Sequence, residues 1–310
     1  MNRPTVSVVM AAKNYAKFLP EAIDSLLVQT FADWELVIID DGSTDATVDV
    51  VRPYLADARI RYFRSDVLGQ SRAKNLGIGF SSGDFIAFLD ADDAWLPIKL
   101  AEQVALLRRC PTVGVTYTQR ELIDENGTVL SVSTEPLPGG WILPKIFLKN
   151  FVCFSSVMVR REVFETVGVF DPALDLSIDY DLWLRAARHF EFQPVQQVLM
   201  KYRTGHGNLS KKLADRVATA ISIMTRAVFR RGLHAELSKP TIAEGFASTY
   251  QTLGFVMRSS EPITGAKWYA EAFRWPILRQ ISAKGIAKCG LLWIGGNRVS
   301  GSAENATANG

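Results

Sequence analysis

From residue 6 to about residue 120 the chain alternates short apolar runs with longer segments whose apolar residues recur every three to four positions. Residues 6–11, 35–39, 60–63 and 85–89 read as strands, the first and last of them buried. Ile23, Leu26 and Leu27 follow Pro20 at helical spacing, and Pro20 suits a first helical turn. Val48, Val51 and Leu55 form the inner face of a second helix, capped by Ser43 or Thr44. A loop and helix over 69–80 carry Arg72, Lys74 and Asn75, and Leu100, Val104 and Leu107 line a helix opened by Pro97. This alternation predicts an α/β fold with a mostly parallel central sheet and helices on both faces.

Further strands are expected at 113–118, 151–160 and 195–202, with a hairpin turn at Asp124-Glu125-Asn126-Gly127. Residues 131–140 contain two prolines and two glycines and read as a mobile loop over the site. Leu182, Trp183, Ala186, Ala187 and Phe190 describe a helix that starts near Asp179. From 211 the strand signals stop, and helices broken near Gly232, Pro240, Pro262 and Pro276 run to about 295. The expected organisation is an α/β domain over 1–210, a helical C-terminal region over 211–299 and a disordered tail over 300–310.

Composition narrows the class. With 48% hydrophobic and 22% charged residues in 310, the chain can bury a sizeable core and is not a disordered polymer. A net charge of +3 is too small to point to a nucleic-acid partner. Three widely spaced cysteines, Cys110, Cys153 and Cys289, suit a reduced compartment and no cysteine metal cluster. Residues 1–5 show no signal-peptide pattern, and no apolar run is long enough to span a bilayer, so a cytoplasmic location is expected. Phe273, Trp275, Ile277, Leu278 and Ile281 alternate with Arg274, Arg279, Lys284 and Lys288. That pattern suits either peripheral contact with the inner face of a membrane or packing on the α/β domain or a second subunit of a homo-oligomer.

The candidate chemistry lies at strand ends. The run Phe85-Ile86-Ala87-Phe88-Leu89 stops at Asp90, Asp92 and Asp93. These carboxylates would sit at the C-terminal sheet edge, where open α/β sheets bind ligands. Three crowded acids need solvent or a shared cation, and a divalent cation carrying phosphates fits, a solvated acidic turn being the alternative. A second strand ends at Asp40 and Asp41, and one nucleotide site along the edge accounts for both clusters. Asp179 and Asp181 fall at a helix start, where capping and the helix dipole favour acids whatever the function. His206 lies in a polar loop punctuated by glycines, where a lone histidine is commonly just solvated.

Taken in order, several motifs resemble those of a family 2 glycosyltransferase of the GT-A fold. They are Val8-Val9-Met10-Ala11-Ala12-Lys13-Asn14-Tyr15, Gln29-Thr30-Phe31, Trp34 through Asp45, Gly69 through Asn75, Gly83 through Asp93, and Asp179-Tyr180-Asp181-Leu182-Trp183-Leu184-Arg185. The resemblance covers 6–210 and implies a Rossmann-like nucleotide-binding sheet with a C-terminal helical extension. It implies an inverting, metal-dependent enzyme that moves a sugar from a nucleotide-sugar donor, UDP-linked, to a glycan or lipid-linked acceptor in surface polysaccharide synthesis. By the same resemblance Asp41 accepts from the nucleobase, with Ala11, Ala12 and Asn14 closing around it and Arg72, Lys74 and Asn75 on the nucleotide side. Asp90 lies by ribose and metal, Asp92 ligates Mn²⁺ or Mg²⁺, and Asp93 contacts the sugar or supports the metal. Asp179 is the general base, Asp181 structural, and His206 a diphosphate or metal contact.

The chain departs from the family pattern at four places. Ala11 and Lys13 stand where Pro and Tyr are common, Lys74 where Arg is usual, and Ile178 where an acid often precedes the base. No Gln-x-x-Arg-Trp motif follows Asp179, which points to a non-processive enzyme. Two other readings compete. A sugar-phosphate nucleotidyltransferase needs a glycine-rich, basic triphosphate loop, and Ala11-Ala12-Lys13-Asn14 is a poor one. A non-catalytic nucleotide-sugar or carbohydrate-binding module would have no need of both Asp92 and Asp179.

Overall fold

A computed structural model of the chain describes residues 3–205, 213–258, 260–273, 284 and 286. The chain divides into two compact units, Met1–Leu143 with Phe151–Ser210, and Pro144–Asn150 with Lys211–Gly310.

The first unit is built on one nine-stranded sheet. The strands are β1 (Val6–Ala12), β2 (Trp34–Asp41), β3 (Ile60–Ser65), β4 (Phe85–Phe88), β5 (Ala94–Trp95), β6 (Val113–Ile123), β7 (Val129–Val132), β8 (Met158–Arg160) and β9 (Glu191–Arg203). β2 and β4 are buried throughout and β1 nearly so, which is why their sequences are continuous apolar runs rather than alternating ones. β1 pairs in parallel with both β2 and β4, and β2 with β3. β1, β2 and β4 therefore end at one common edge. Beyond β4 the sheet is mixed: β8 is antiparallel to β4 and β6, β9 is parallel to β6, and β5 is antiparallel to β9. β7 forms a hairpin with β6, with Gly127 left-handed at φ 87° in the turn.

The helices of this unit are α1 (Leu19–Leu27), α2 (Thr47–Val51), α3 (Gln70–Phe80), α4 (Lys99–Arg109), α6 (Arg161–Val167) and α7 (Ile178–Ala186); α5 (Leu143–Leu148) lies between α4 and α6 in the chain. Pro20 occupies the first turn of α1, and Leu100, Val104 and Leu107 of α4 are buried. α3 lies close on the sheet because Gly77 has no side chain: a Cβ there would come within 2.4 Å of Val9 Cγ1. Gly77→Ala is accordingly expected to destabilise the protein by about 1–3 kcal/mol, read as a lower urea midpoint with an unchanged slope.

Three local expectations change. Asp45, not Ser43 or Thr44, holds the start of α2, its Oδ1 accepting from Thr47 N at 3.0 Å. α2 gives way at Arg52 to a 3-10 turn containing Pro53, and the tighter winding leaves Leu55 exposed rather than beside Val51. Residues 151–160 are not one strand. Phe154–Ser156 form a 3-10 turn, because Ser156 Oγ donates to Cys153 O at 2.7 Å and Ser155 Oγ accepts from Asp90 N at 3.0 Å.

In the second unit α8 (Leu213–Phe229), α9 (Lys239–Met257) and α10 (Pro262–Phe273) follow one another. Ser238 Oγ caps α9 by accepting from Thr241 N at 3.2 Å, with Pro240 in the first turn. α9 and α10 approach at paired glycines, where a Cβ on Gly254 would lie 3.0 Å from Gly265 O. Phe229, Phe246, Tyr250 and Trp268 stack in series, and Phe147 meets Phe246 edge-on. No helix among the described residues is long and apolar enough to cross a membrane.

Candidate functional site

The turn after β4 gathers three carboxylates, each in a different setting. Asp90 Oδ1 is paired with Lys74 Nζ at 2.9 Å, and Lys74 also donates to Gln70 Oε1 at 3.1 Å and sits 4.3 Å from the Phe154 ring centroid. Asp92 is 8% exposed, and burial, then the charge of Asp90, pushes its carboxyl up to about 7. Asp93 is buried, and its Oδ1 accepts from Arg203 N at 2.8 Å while Oδ2 has no hydrogen-bond partner. Burial, then the charges of Asp92 and Asp90, holds the Asp93 carboxyl well above the carboxylate range. Tyr15 stands beside the cluster, its phenol pushed up by burial and then by Asp92, Asp90 and Asp93.

A cation fits this arrangement. Burial and mutual charge hold two carboxyls above the carboxylate range, and Asp93 Oδ2 makes no hydrogen bond although the Ser155 hydroxyl stands by that carboxyl. Both are signs of missing positive charge despite Lys74 and Arg203 nearby. No three His, Cys, Asp or Glu side chains converge to hold a metal by themselves among the described residues. A cation here would therefore draw part of its oxygen shell from a ligand such as a diphosphate, as hard cations at phosphate sites do.

Two loops stand beside this turn, and the acids of the Asp40–Asp45 motif tie them together. Asn14, left-handed at φ 61°, donates its N–H to Ser43 Oγ at 2.9 Å and accepts from Thr44 N at 2.7 Å through Oδ1. Asp45 Oδ2 accepts from Ala16 N at 3.0 Å. Asp40, fully buried, accepts from Ser43 N at 2.8 Å and from the Tyr62 hydroxyl. Asp41 accepts from the amides of Leu68 and Gly69, one on each oxygen, which leaves carboxylate lone pairs for a further donor. Ala11 is half-buried and Ala12 buried at the end of β1. On α3, Arg72 is exposed, whereas Lys74 is committed to Asp90 and Asn75 brackets the Phe170 backbone at 2.8 and 3.0 Å.

Asp179 is half-buried in the first turn of α7, behind Ser177, which is left-handed at φ 52°. Asn14 and Ser177 are the two described non-glycine residues with positive φ, and both precede elements of the site; such backbone persists where the surroundings over-determine it. The helix α7 is linked to the acid turn by aromatic contact. Trp183, one helical turn beyond Asp179, lies 6.4 Å from Phe154, whose ring faces Lys74 and so the Asp90 pair. The chain before α7 is fastened to α3 through Asn75 and through Ser71 Oγ, which donates to Leu174 O. Asp181 is fully buried and pairs with Arg185 at 3.0 Å, and Arg185 in turn binds the carbonyls of Val167, Gly168 and Val169, a structural role. His206 and the basic aromatic stretch beyond Phe273 lie outside the described residues, apart from isolated positions 284 and 286.

Sequence reasoning missed Tyr15, Phe154, Ser155 and Arg203. The signal for Arg203 is a strand, Val195 to Tyr202, that ends in an arginine instead of a turn residue. A separate cleft of about 370 Å³, lined by Glu102, Arg109, Cys110, Glu191 and Gln193 among others, lies at the N-terminal ends of β6 and β9 and so at the opposite sheet edge.

The family model described as glycosyl transferase family 2 matches residues 7–168. The chain belongs to that family. Its family relatives include an uncharacterized glycosyltransferase of Rickettsia felis, 32% identical over 219 residues that make up 68% of this chain and 36% of the relative. An uncharacterized glycosyltransferase of Nostoc sp. is 38% identical over 54% of each chain. The chain thus spans 36% and 54% of the lengths of these two relatives. The fold is that of solved glycosyltransferases. The mannosyltransferase PcManGT from Pyrobaculum calidifontis, in complex with GDP-Man and Mn²⁺, superposes with a TM-score of 0.61 at 18% identity, covering 100% of this chain and 89% of that one. TarS of S. aureus, in complex with UDP-GlcNAc, gives 0.60 at 15% identity, covering 87% and 89%. The mixed α/β sheet flanked by helices is therefore GT-A-like.

Proposed function

We propose that this family 2 chain is an inverting, metal-dependent glycosyltransferase that moves a sugar from a UDP-linked donor to a glycan or lipid-linked acceptor in surface polysaccharide synthesis. The observation that carries the proposal is the acid turn at the end of β4, with Asp92 raised to about 7 and an unpartnered Asp93 oxygen beside it. The nucleotide sugars in the two structural neighbours, and the Mn²⁺ in one, support the donor class and the cation.

Asp92 and Asp90 would hold Mn²⁺ or Mg²⁺, which when bound neutralises charge on the departing nucleoside diphosphate. Asp41, with the ends of β1 at Ala11 and Ala12 and the loop at Asn14, would form the nucleobase wall. Arg72 would offer a cation to the nucleotide, and His206 a diphosphate contact. Lys74 would act through Asp90, holding its carboxylate in place. Asp179 would take the proton of the acceptor hydroxyl. The acceptor oxygen then bonds to the anomeric carbon on the face opposite the departing phosphate oxygen, and the configuration inverts in one displacement.

A thermal-unfolding panel of UDP- and GDP-linked sugars tests this. With Mn²⁺ present, a UDP-sugar is expected to raise the midpoint, by an amount equivalent to about 2.7 kcal/mol at 100 times its Kd, and EDTA to abolish the shift. A shift with GDP-sugars alone would overturn the UDP assignment, and no shift with any nucleotide sugar would overturn the reaction class.

A further inference from the structure

The end of β9 carries a buried cation to which none of the roles above gives a task. Arg203 is 2% exposed, and three loops at the carboxylate edge meet on it. Its backbone N–H donates to Asp93 Oδ1 at 2.8 Å, and its Nε donates to the Asp92 carbonyl at 2.8 Å. Nη1 donates to the carbonyls of Asp124 and Glu125 at 3.1 and 3.3 Å, in the β6–β7 turn. Nη2 pairs with Glu21 of α1, and the guanidinium lies 5.1 Å from the Phe18 ring centroid. A planar fork with five donors can serve at once the four acceptors that its side chain meets on Asp92, Asp124, Glu125 and Glu21, which an ammonium cannot.

We infer that Arg203 is a positioning residue for the cation turn, its side chain setting the direction of the Asp92 carboxylate. The inference rests on the cation reading of Asp90 and Asp92. The Arg203 N–H takes one Asp93 oxygen and leaves the other without a partner. The Nε bond fixes the Asp92 peptide plane, and with it the direction in which the Asp92 side chain leaves the turn. β5 follows that turn at once and pairs with Lys201 and Met200, so the chain just after Arg203's contacts is held to β9 as well. Glu21 and the two turn carbonyls hold the far end of the guanidinium, so its position does not depend on the turn it supports. Removing such a supporting partner ordinarily weakens a metal site about 10- to 100-fold.

The test is calorimetric titration of Mn²⁺ into the full chain with UDP present, for the wild type, Arg203→Met, Arg203→Lys and Glu21→Gln. Arg203→Met is expected to weaken Mn²⁺ binding by about 10- to 100-fold, Arg203→Lys to restore part of it, and Glu21→Gln to fall between Arg203→Met and the wild type. In turnover assays the apparent Mn²⁺ constant should move while kcat at saturating Mn²⁺ stays within a few-fold. Should Arg203→Met fail to fold, Glu21→Gln decides, since it leaves the arginine in place. Wild-type Mn²⁺ affinity in a folded Glu21→Gln and Arg203→Lys would overturn the positioning role alone. A wild type that binds no Mn²⁺ with UDP would overturn the cation reading and the inference with it.

Discussion

Replacing Asp92 with Asn is expected to abolish cation-dependent transfer and at the same time stabilise the cation-free protein. The two effects have one cause. Asp92 is buried beside Asp90, so its charged form is disfavoured until a cation arrives. Because its folded pKa, about 7, lies above the ordinary carboxylate value, the folded wild type binds the proton more tightly than the unfolded chain. The stability that this extra proton affinity contributes is therefore fully present below about pH 4 and is lost as pH rises through about 7. Asn does not titrate. The variant's lead in melting temperature over the wild type should thus open between about pH 4 and 7 and level off above, in EDTA. Added Mn²⁺ and UDP should reverse the order. The loss of transfer should be at least about 100-fold, the scale of several kcal/mol of charge stabilisation at the leaving group. An Asp92→Asn variant that melts lower than wild type at pH 8 in EDTA, and keeps its turnover, would count against both halves.

Asp179→Asn should separate transfer from binding: transfer falls by about 100- to 10,000-fold, the usual worth of a positioned general base, while donor and Mn²⁺ binding persist. The amide has the same shape and suits a helix first turn, so α7 and the Trp183 contact with Phe154 should remain. The checks are the transfer rate beside the thermal shift given by donor with Mn²⁺. Loss of both together would place Asp179 in binding rather than in proton removal, and undiminished turnover would remove it from the chemistry.

What was legible in the sequence follows from where each interaction is encoded. β1, β2 and β4 could be read from apolar runs, and their acidic ends from the residue that follows each run. Parallel pairing then brings those ends to one edge without further information. What could not be read depends on partners far along the chain. Lys74 meets Asp90, Ser155 receives the Asp90 amide, and Arg203 reaches back to Asp92 and Asp93, and no periodicity marks any of these. Residues 151–160 look like a strand because Phe, Val and Cys favour one, yet Ser155 and Ser156 use their hydroxyls on backbone groups and close a turn instead. The acids of the Asp40–Asp45 motif were readable as a cluster, but not as clamps on Ala16, Ser43 and Leu68, since that needs the loops after β1, β2 and β3 side by side.

The most direct test of the cation site is a titration of Mn²⁺ followed by the paramagnetic resonance of the free ion, with and without saturating UDP. The expected result is one Mn²⁺ bound per chain when UDP is present, weaker binding without it, and none in Asp92→Asn. Equal Mn²⁺ binding by the wild type and Asp92→Asn, or none by the wild type with UDP, would contradict it.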